Sequence, residues 1–392
     1  MDRRSTGTYE RTRVAGEEVA AFVPSQLPPD GPPLSVDGGL LDAVRAAGQA
    51  LARLELAGEL VPSVDWFIYA FVRKEAVVSS QIEGTQATLV DLLSFEAGEA
   101  VSADADVEEV CRYLDALSYA RAQLADPAGL PLSMRLLNGA HSRLMRGARG
   151  ADKQPGEVRR TQNWIGGTRP GNAVYVPPPP SRLGGILSDF EKYIHGGNDL
   201  PPLVRAGLLH VQFETIHPYL DGNGRIGRLL VTLLLGHWKL LSQPTLYLSL
   251  YFKRHRDEYY RRLGAVRTGG DWEGWLEYFL DGVATIAGEA VASARDLSAL
   301  VAHDRTRLVG HAGASVAALR LFELLPRHPI VSVAYVIRQL GVSKPTAGRA
   351  VAVLEGARIL VETTGKKRDR AWAYKSYLDR LRAGTDIAAR TR

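Results

Sequence analysis

At 392 residues, with 45% hydrophobic content and a formal net charge of +5, the chain can hold two or three domains with sizeable cores. Its single cysteine, Cys111, excludes an internal disulfide and a cysteine-rich metal cluster, and suits a reducing, cytoplasmic compartment. No apolar run reaches the roughly 18 residues of a membrane-spanning helix, the N-terminus lacks a signal-peptide stretch, and so mild a charge does not by itself imply nucleic acid.

Residues 1–37 are polar, then proline-rich (Pro24, Pro28, Pro29, Pro32, Pro33), and read as an extended arm without a core of its own. A helical region with expected bounds 38–105 follows. Leu40, Leu41, Val44, Ala47, Leu51 and Leu54 recur at close to the 3.6-residue helical period. Trp66–Val78 reads as a second helix. Ser79-Ser80-Gln81-Ile82-Glu83-Gly84, taken alone, is a helix end, with Gly84 as its C-cap and Glu83 as an exposed charge.

The next region, with expected bounds 106–290, begins with helices over Val107–Leu124 and Ser133–Met145, around the proline-bearing loop Asp126–Pro131. Gly147–Gly156 is a basic, glycine-rich loop. Val158–Ile165 and Ala173–Val176 read as two short strands joined by a glycine turn. Helices over Leu183–His195 and Pro202–His217 then lead to the most informative stretch of the chain.

That stretch, His217 to Arg228, reads His-Pro-Tyr-Leu-Asp-Gly-Asn-Gly-Arg-Ile-Gly-Arg, with apolar helical sequence on both sides. Pro218 ends the first helix at His217, because proline lacks a donor and restricts the residue before it. Gly222 and Gly224 allow a sharp turn and close approach to a ligand. The N–H groups opening the next helix carry the positive end of its dipole, a natural seat for phosphate. Arg225 and Arg228 lie on its first turns and can reach an anion. Two lookalikes exist. Gly222-x-Gly224-x-x-Gly227 fits a dinucleotide fingerprint but has no preceding strand. His210, Glu214 and His217 share one helix face and could hold zinc; His210 and Glu214 are more simply helix-packing groups.

Beyond the loop, Tyr251–Tyr260 opens an aromatic helix, and Asp271–Trp275 opens the closing helix of this region. The last region, with expected bounds 291–392, takes in most of a charged connector helix over Thr285–Leu308. Helices over Ala317–Leu325, Ser332–Leu340 and Lys344–Gly356 follow, the last with Ser343 as its N-cap. Ile359–Thr364 and Ala371–Tyr374 read as strands around the basic run Gly365–Arg370. This is the outline of a winged helix-turn-helix. Lys344, Thr346 and Arg349 would face a DNA groove, and Lys366, Lys367, Arg368 and Arg370 would reach phosphates. The same surface could instead serve dimerisation or protein docking, so a homodimer is an open alternative.

His217 to Arg228 resembles the signature of the Fic family, His-Pro-[Phe/Tyr]-x-Asp-Gly-Asn-Gly-Arg-x-x-Arg, and matches it at every fixed position. The resemblance implies a mainly α fold: a Fic-type helical core with a β-hairpin flap, an N-terminal helical region and a C-terminal winged helix-turn-helix. It implies transfer of AMP from ATP to hydroxyls of a target protein and of the chain itself. His217 would be the general base and Asp221 would hold Mg²⁺. Gly222, Asn223, Gly224, Arg225 and Arg228 would hold the ATP phosphates. Ser79–Gly84 is similar to the family's inhibitory pattern, [Ser/Thr]-x-x-x-Glu-[Gly/Asn], implying inhibitory Ser79, Glu83 and Gly84, with Glu83 pairing to Arg228. Its place before the core resembles the family's second class. Trp164, Ile165, Gly166, Gly167, Tyr175 and Val176 resemble the target-binding flap, which would take a target segment by strand addition. The resemblance also implies a nucleotide contact at His255, weakened because family members often have asparagine there. Two other readings stay open: a DNA-binding regulator with a nucleotide-sensing core, and removal of AMP from a modified protein at the same site.

Overall fold

The computed structural model describes residues 4–60, 64–98, 104–147, 152–197, 199–366 and 368–387, so Lys367 and the centre of the basic loop at 148–151 lie outside the described residues. Strands β1 (Gly7–Val14) and β2 (Glu17–Pro24) come first. Helices α1 (Gly38–Leu60), α2 (Val64–Ile82), α3 (Leu89–Glu96), α4 (Ala105–Ala125) and α5 (Met134–Leu144) follow. After a 3-10 turn at Pro170–Asn172 come α6 (Pro180–His195), α7 (Pro202–Ile216), α8 (Asn223–His237), α9 (Ser249–Arg254), α10 (Arg256–Gly269) and α11 (Trp272–Val309). The chain continues through α12 (Val316–Leu324), β3 (Ile330–Ser332), α13 (Val333–Leu340), α14 (Lys344–Gly356), β4 (Val361–Glu362), β5 (Ala371–Ala373) and α15 (Lys375–Leu381). The described chain is thus mainly helical, and no helix in it is long and apolar enough to cross a membrane.

Three expectations need correction. The N-terminal arm is not coreless: residues 7–24 form an antiparallel hairpin closed by Ala15 and Gly16, both at positive φ, as a two-residue hairpin turn requires. Tyr9 packs edge-on against its cross-strand partner Phe22 at 5.1 Å. Val14, Val19 and Ala21 bury a small cluster with Val176, and the Phe22 N–H donates to the Val176 carbonyl at 2.9 Å. The proline count masked this alternation. Second, the flap hairpin is narrower than the two strands expected over Val158–Ile165 and Ala173–Val176. Its pairing is a single antiparallel bridge, Ile165 to Tyr175, because Gly166, Gly167 and the Pro170–Asn172 turn occupy the connection. Third, the core's closing helix and the connector are one helix of 38 residues, α11, with no breaker at the expected division. Elements α3, β3 and α15 were not anticipated.

Two compact units make up the chain. The first takes the chain up to Ala52, Arg112–Ser242 and Tyr251–Ala287. Its axis is α7, of which every residue except Pro202 and Glu214 is buried. The His210 ring lies near Phe252 and Trp275, and the Trp275 indole donates to the Gly207 carbonyl at 2.8 Å. His210 Nδ1 donates to the Gly227 carbonyl on α8 at 3.0 Å, while Nε2 accepts from the Tyr259 hydroxyl on α10 at 2.8 Å. Both imidazole nitrogens are therefore engaged by protein groups, which argues against the zinc arrangement. Gly227 allows the close α7–α8 approach: a β-carbon there would lie 2.3 Å from Glu214 Oε1.

The second unit joins Arg53–Cys111, Gln243–Leu250 and everything from Gly288 onward. Buried Glu75 of α2 accepts from both the N–H and the hydroxyl of Ser249. Further contacts tie α2 to the C-terminal region: Asp65 pairs with Arg327, Tyr69 packs edge-on to His328 at 5.4 Å, and Gln81 donates to the Thr385 carbonyl at 2.9 Å. The C-terminal strands form an antiparallel sheet in the order β3-β5-β4. Gly341, at φ 64, turns the chain between α13 and α14.

Burial pushes the His210 pKa down from 6.5 to about 3. The unfolded chain then binds the extra proton first, so His210 contributes fully above the unfolded value and its contribution falls as pH drops below it. The loss approaches about 1.4 kcal/mol per pH unit for one such group. Urea midpoints measured between about pH 6 and 4 should therefore decline less steeply in His210→Gln than in the wild type; parallel slopes would show that His210 does not titrate with unfolding.

Candidate active site

The reversal between α7 and α8 is built from backbone that side chains hold in place. His217 caps α7 in the left-handed region (φ 50, ψ 61), and its N–H donates to the Phe213 carbonyl at 2.9 Å. That conformation costs a residue with a β-carbon roughly 1–2 kcal/mol, so the surroundings must impose it. Buried Arg159 does so in part, its Nε donating to the His217 carbonyl at 3.0 Å and its own N–H to the Pro218 carbonyl at 2.9 Å. Asn223 closes the turn: Oδ1 accepts from the Tyr219 N–H and Nδ2 donates to the Tyr219 carbonyl, both at 2.9 Å. Asn163, from the flap, donates to the same carbonyl at 3.2 Å.

His141 on α5 holds the next carbonyl. Its Nδ1 accepts from the Gly156 N–H at 2.9 Å, which leaves Nε2 to donate to the Asp221 carbonyl at 3.0 Å. The ring stacks on Tyr219 at 3.8 Å, and burial lowers its pKa to about 4, so the neutral form persists at neutral pH. Gly222 then starts α8 from the left-handed region at φ 78. A β-carbon on Gly222 would lie 2.9 Å from Met145 Sδ. Gly224, expected in the turn, instead sits in the first helical turn of α8.

The first N–H groups of α8 have no acceptor within the helix, and its dipole favours negative charge there. Arg225 and Arg228 are 5% and 3% exposed, so two guanidiniums are held in low dielectric beside this terminus. The Asp221 side chain is half exposed; Oδ1 accepts the Gly222 N–H at 2.6 Å and lies 3.9 Å from Arg225 Nη2. One accessible carboxylate beside an anion seat fits a magnesium ion that shares oxygen ligands with phosphates and keeps its waters. The Asn223 side chain is committed to Tyr219, so a role for this residue at an anion would fall to its backbone N–H.

The flap joins this turn at its base. The Tyr175 hydroxyl donates to the Thr215 carbonyl at 2.5 Å, and the Arg267 guanidinium covers its ring at 3.9 Å. Trp164 is partly exposed and Gly166 and Gly167 are open, while Tyr175 and Val176 are buried. Ile165 is half-buried, so the flap's exposed edge is narrower than its residues suggest. His255 is the N-cap of α10, exposed, with its ring 4.6 Å from Tyr251. Ser79, Glu83 and Gly84 belong to the second unit: Ser79 lies in the last turns of α2, Glu83 follows its end, and Gly84 turns at φ 104. Arg159 and His141 were missed from the sequence. Arg159 hides in a basic pair whose other member, Arg160, is exposed and pairs with Glu157, and nothing local to His141 points at Asp221.

Fold and turn together define a mainly helical protein organised around a helix–turn–helix whose second helix opens beside two buried arginines. Residues 41–122 match the Fic/DOC family N-terminal model and residues 131–235 match the Fic/DOC family model. Over those residues the chain carries a Fic/DOC N-terminal domain and a Fic/DOC domain. It is 35% identical over 116 residues to the protein adenylyltransferase Fic of Drosophila grimshawi, covering 29% of this chain and 21% of that protein. To the one from Culex quinquefasciatus it is 33% identical over 131 residues, 32% of this chain and 23% of that protein. The chain thus spans only about a fifth of the length of the curated relatives it matches. In fold, it is similar to a Fic family protein from Desulfovibrio desulfuricans G20, with a TM-score of 0.57 at 22% identity over 88% of this chain and 98% of that one. A Fic domain containing signaling protein from Bacteroides thetaiotaomicron VPI-5482 aligns at a TM-score of 0.52 and 18% identity, over 64% and 96%.

Gly222→Ala should cost about 1–2 kcal/mol through its left-handed backbone and displace the turn from Met145. Tripolyphosphate, used as an anion probe in calorimetry, should bind more weakly to this variant; unchanged affinity would place the anion seat elsewhere.

Proposed function

We propose that this chain transfers AMP from ATP to Ser, Thr or Tyr hydroxyls of a target protein and of itself, releasing pyrophosphate. The observation that carries the reading is one turn that presents His217 at the end of α7 and, a few residues later, the N-terminus of α8 with buried Arg225 and Arg228. The Fic/DOC family match over residues 131–235 and the protein adenylyltransferase names of the curated relatives support it. The β- and γ-phosphates would rest on the N–H groups opening α8 and on the two guanidiniums. Magnesium, held through Asp221, would neutralise phosphate charge. Neutral His217 accepts the hydroxyl proton as that oxygen bonds to the α-phosphorus. The bond from the α-phosphorus to the bridging oxygen breaks, and pyrophosphate leaves with the electron pair. Catalysis is mainly positioning and charge neutralisation. Labelled ATP, GTP, CTP and UTP offered to the protein in a native lysate would test nucleotide choice and target together.

His217→Ala should lose transfer by about 10²–10⁴-fold, the usual worth of a general base, while keeping ATP affinity. Transfer at the wild-type rate would remove His217 from the mechanism.

The reading includes self-restraint by Glu83. A carboxylate on Arg228 removes a ligand for the γ-phosphate and leaves the α-phosphate misplaced. Glu83→Gly should therefore raise self-modification, Arg228→Ala should keep it low, and the double variant should resemble Arg228→Ala. AMP incorporation at saturating Mg²⁺-ATP reads all four proteins, with the folding of each variant checked first; Glu83 itself is exposed. Equal rates for wild type and Glu83→Gly would leave Glu83 as an ordinary helix-end charge.

A second reading, DNA contact through the C-terminal region, is favoured by the exposure of Lys344, Arg349, Lys366, Arg368 and Arg370 around α14 and the β4–β5 connection. Specific duplex binding with a steep salt dependence would support it.

A further inference from the structure

Arg159 lies outside the His217–Arg228 stretch, yet its guanidinium meets the chain at both ends of the flap and at the end of α7. It is 2% exposed. Nε donates to the His217 carbonyl at 3.0 Å, Nη2 to the Pro178 carbonyl at 2.6 Å and Nη1 to the Thr161 carbonyl at 3.3 Å. The Arg159 N–H takes the next carbonyl, that of Pro218, at 2.9 Å. Thr161 lies where the chain enters the flap and Pro178 where it leaves. Burial pulls the guanidinium pKa down to about 10, which leaves it charged at neutral pH. A buried cation is costly to keep, and its hydrogen bonds here go to carbonyl oxygens. The rigid, planar fork of an arginine suits three such acceptors in fixed directions, and an ammonium does not.

We propose that Arg159 is a positioning residue: it fixes the left-handed backbone of His217 and ties it to both ends of the flap, so that one guanidinium sets where the target hydroxyl is held and where its proton is received. This rests on the reading of His217 as the base. A misplacement of about 1 Å can cost roughly 10²-fold in rate, so a group that acts only through the His217 backbone can matter greatly to turnover.

The test uses the full chain in the Glu83→Gly background, with Arg159→Met, which removes the fork, and Arg159→Lys, which keeps the charge. The expected result for Arg159→Met is a loss of kcat for self-modification of about 10²-fold, with KM for ATP changed less than about twofold. Arg159→Lys should recover part of the loss. On a His217→Ala background, Arg159→Met should cost several-fold less than on the parent, because the part of its effect that runs through the imidazole is already lost. Equal losses on both backgrounds would overturn the proposal, since a structural role would act on each alike. A second readout needs no turnover: the imidazole signals of His217 in heteronuclear NMR should move in Arg159→Lys while tripolyphosphate affinity stays constant. Unmoved His217 signals would overturn the proposal even if activity falls. Moved signals in a protein that transfers no AMP would leave the positioning intact and sink the proposed reaction instead.

Discussion

The carbonyl groups of the α7–α8 turn govern this structure. A chain that reverses between two packed helices draws backbone oxygens into buried or partly buried positions, where each needs a donor. Here the donors are side chains from distant parts of the sequence. Arg159 serves His217, the Arg159 N–H serves Pro218, Asn223 and Asn163 serve Tyr219, and His141 serves Asp221. With these carbonyls satisfied from within, the opening of α8 remains as the electropositive end of the turn. The polarity of the site follows from how the turn is held rather than from the glycines alone.

That division decides what the sequence could reveal. Residues acting where they stand in the chain were legible: Pro218 marked the end of α7, and Arg225 and Arg228 marked the cationic flank of α8. Residues acting on a distant backbone were not. A histidine on α5 that bonds the Asp221 carbonyl looks like any helical histidine, and Arg159 looks like half of a surface basic pair. Asn223 shows a related limit: the motif does not say which of its groups acts, and the structure gives its side-chain amide to Tyr219. The fold repeats the pattern. Long periodic helices were placed to within a few residues, whereas the β1–β2 hairpin and the short flap bridge depend on pairing across the chain, including the Phe22–Val176 bond.

The second unit gives the Ser79–Gly84 segment a setting that periodicity could not supply. The segment ends α2, and α2 is fixed along its length: Asp65 by Arg327, Tyr69 by His328, Glu75 by Ser249 and Gln81 by Thr385. Tyr69 also shares Glu96 with Arg73, whose guanidinium covers the Tyr69 ring at 3.3 Å. A helix held at so many points does not shift alone. Any displacement of α2 must break or carry with it bonds to residues beyond 320, which joins the state of the C-terminal region to the position of Glu83.

The rigidity of the turn narrows how such a site can be controlled. Its backbone conformation is imposed by buried groups, among them a stacked imidazole, a guanidinium bound to three carbonyls and an amide bound at both ends. Distorting it would leave several of these unsatisfied at once, each at a cost of about 1–3 kcal/mol. A switch that worked by reshaping the turn would therefore compete with folding. A switch that adds or withdraws one carboxylate at an arginine leaves the turn intact and changes only which anion the guanidinium receives. The construction of the α7–α8 turn thus favours control by an incoming charge over control by reshaping its backbone.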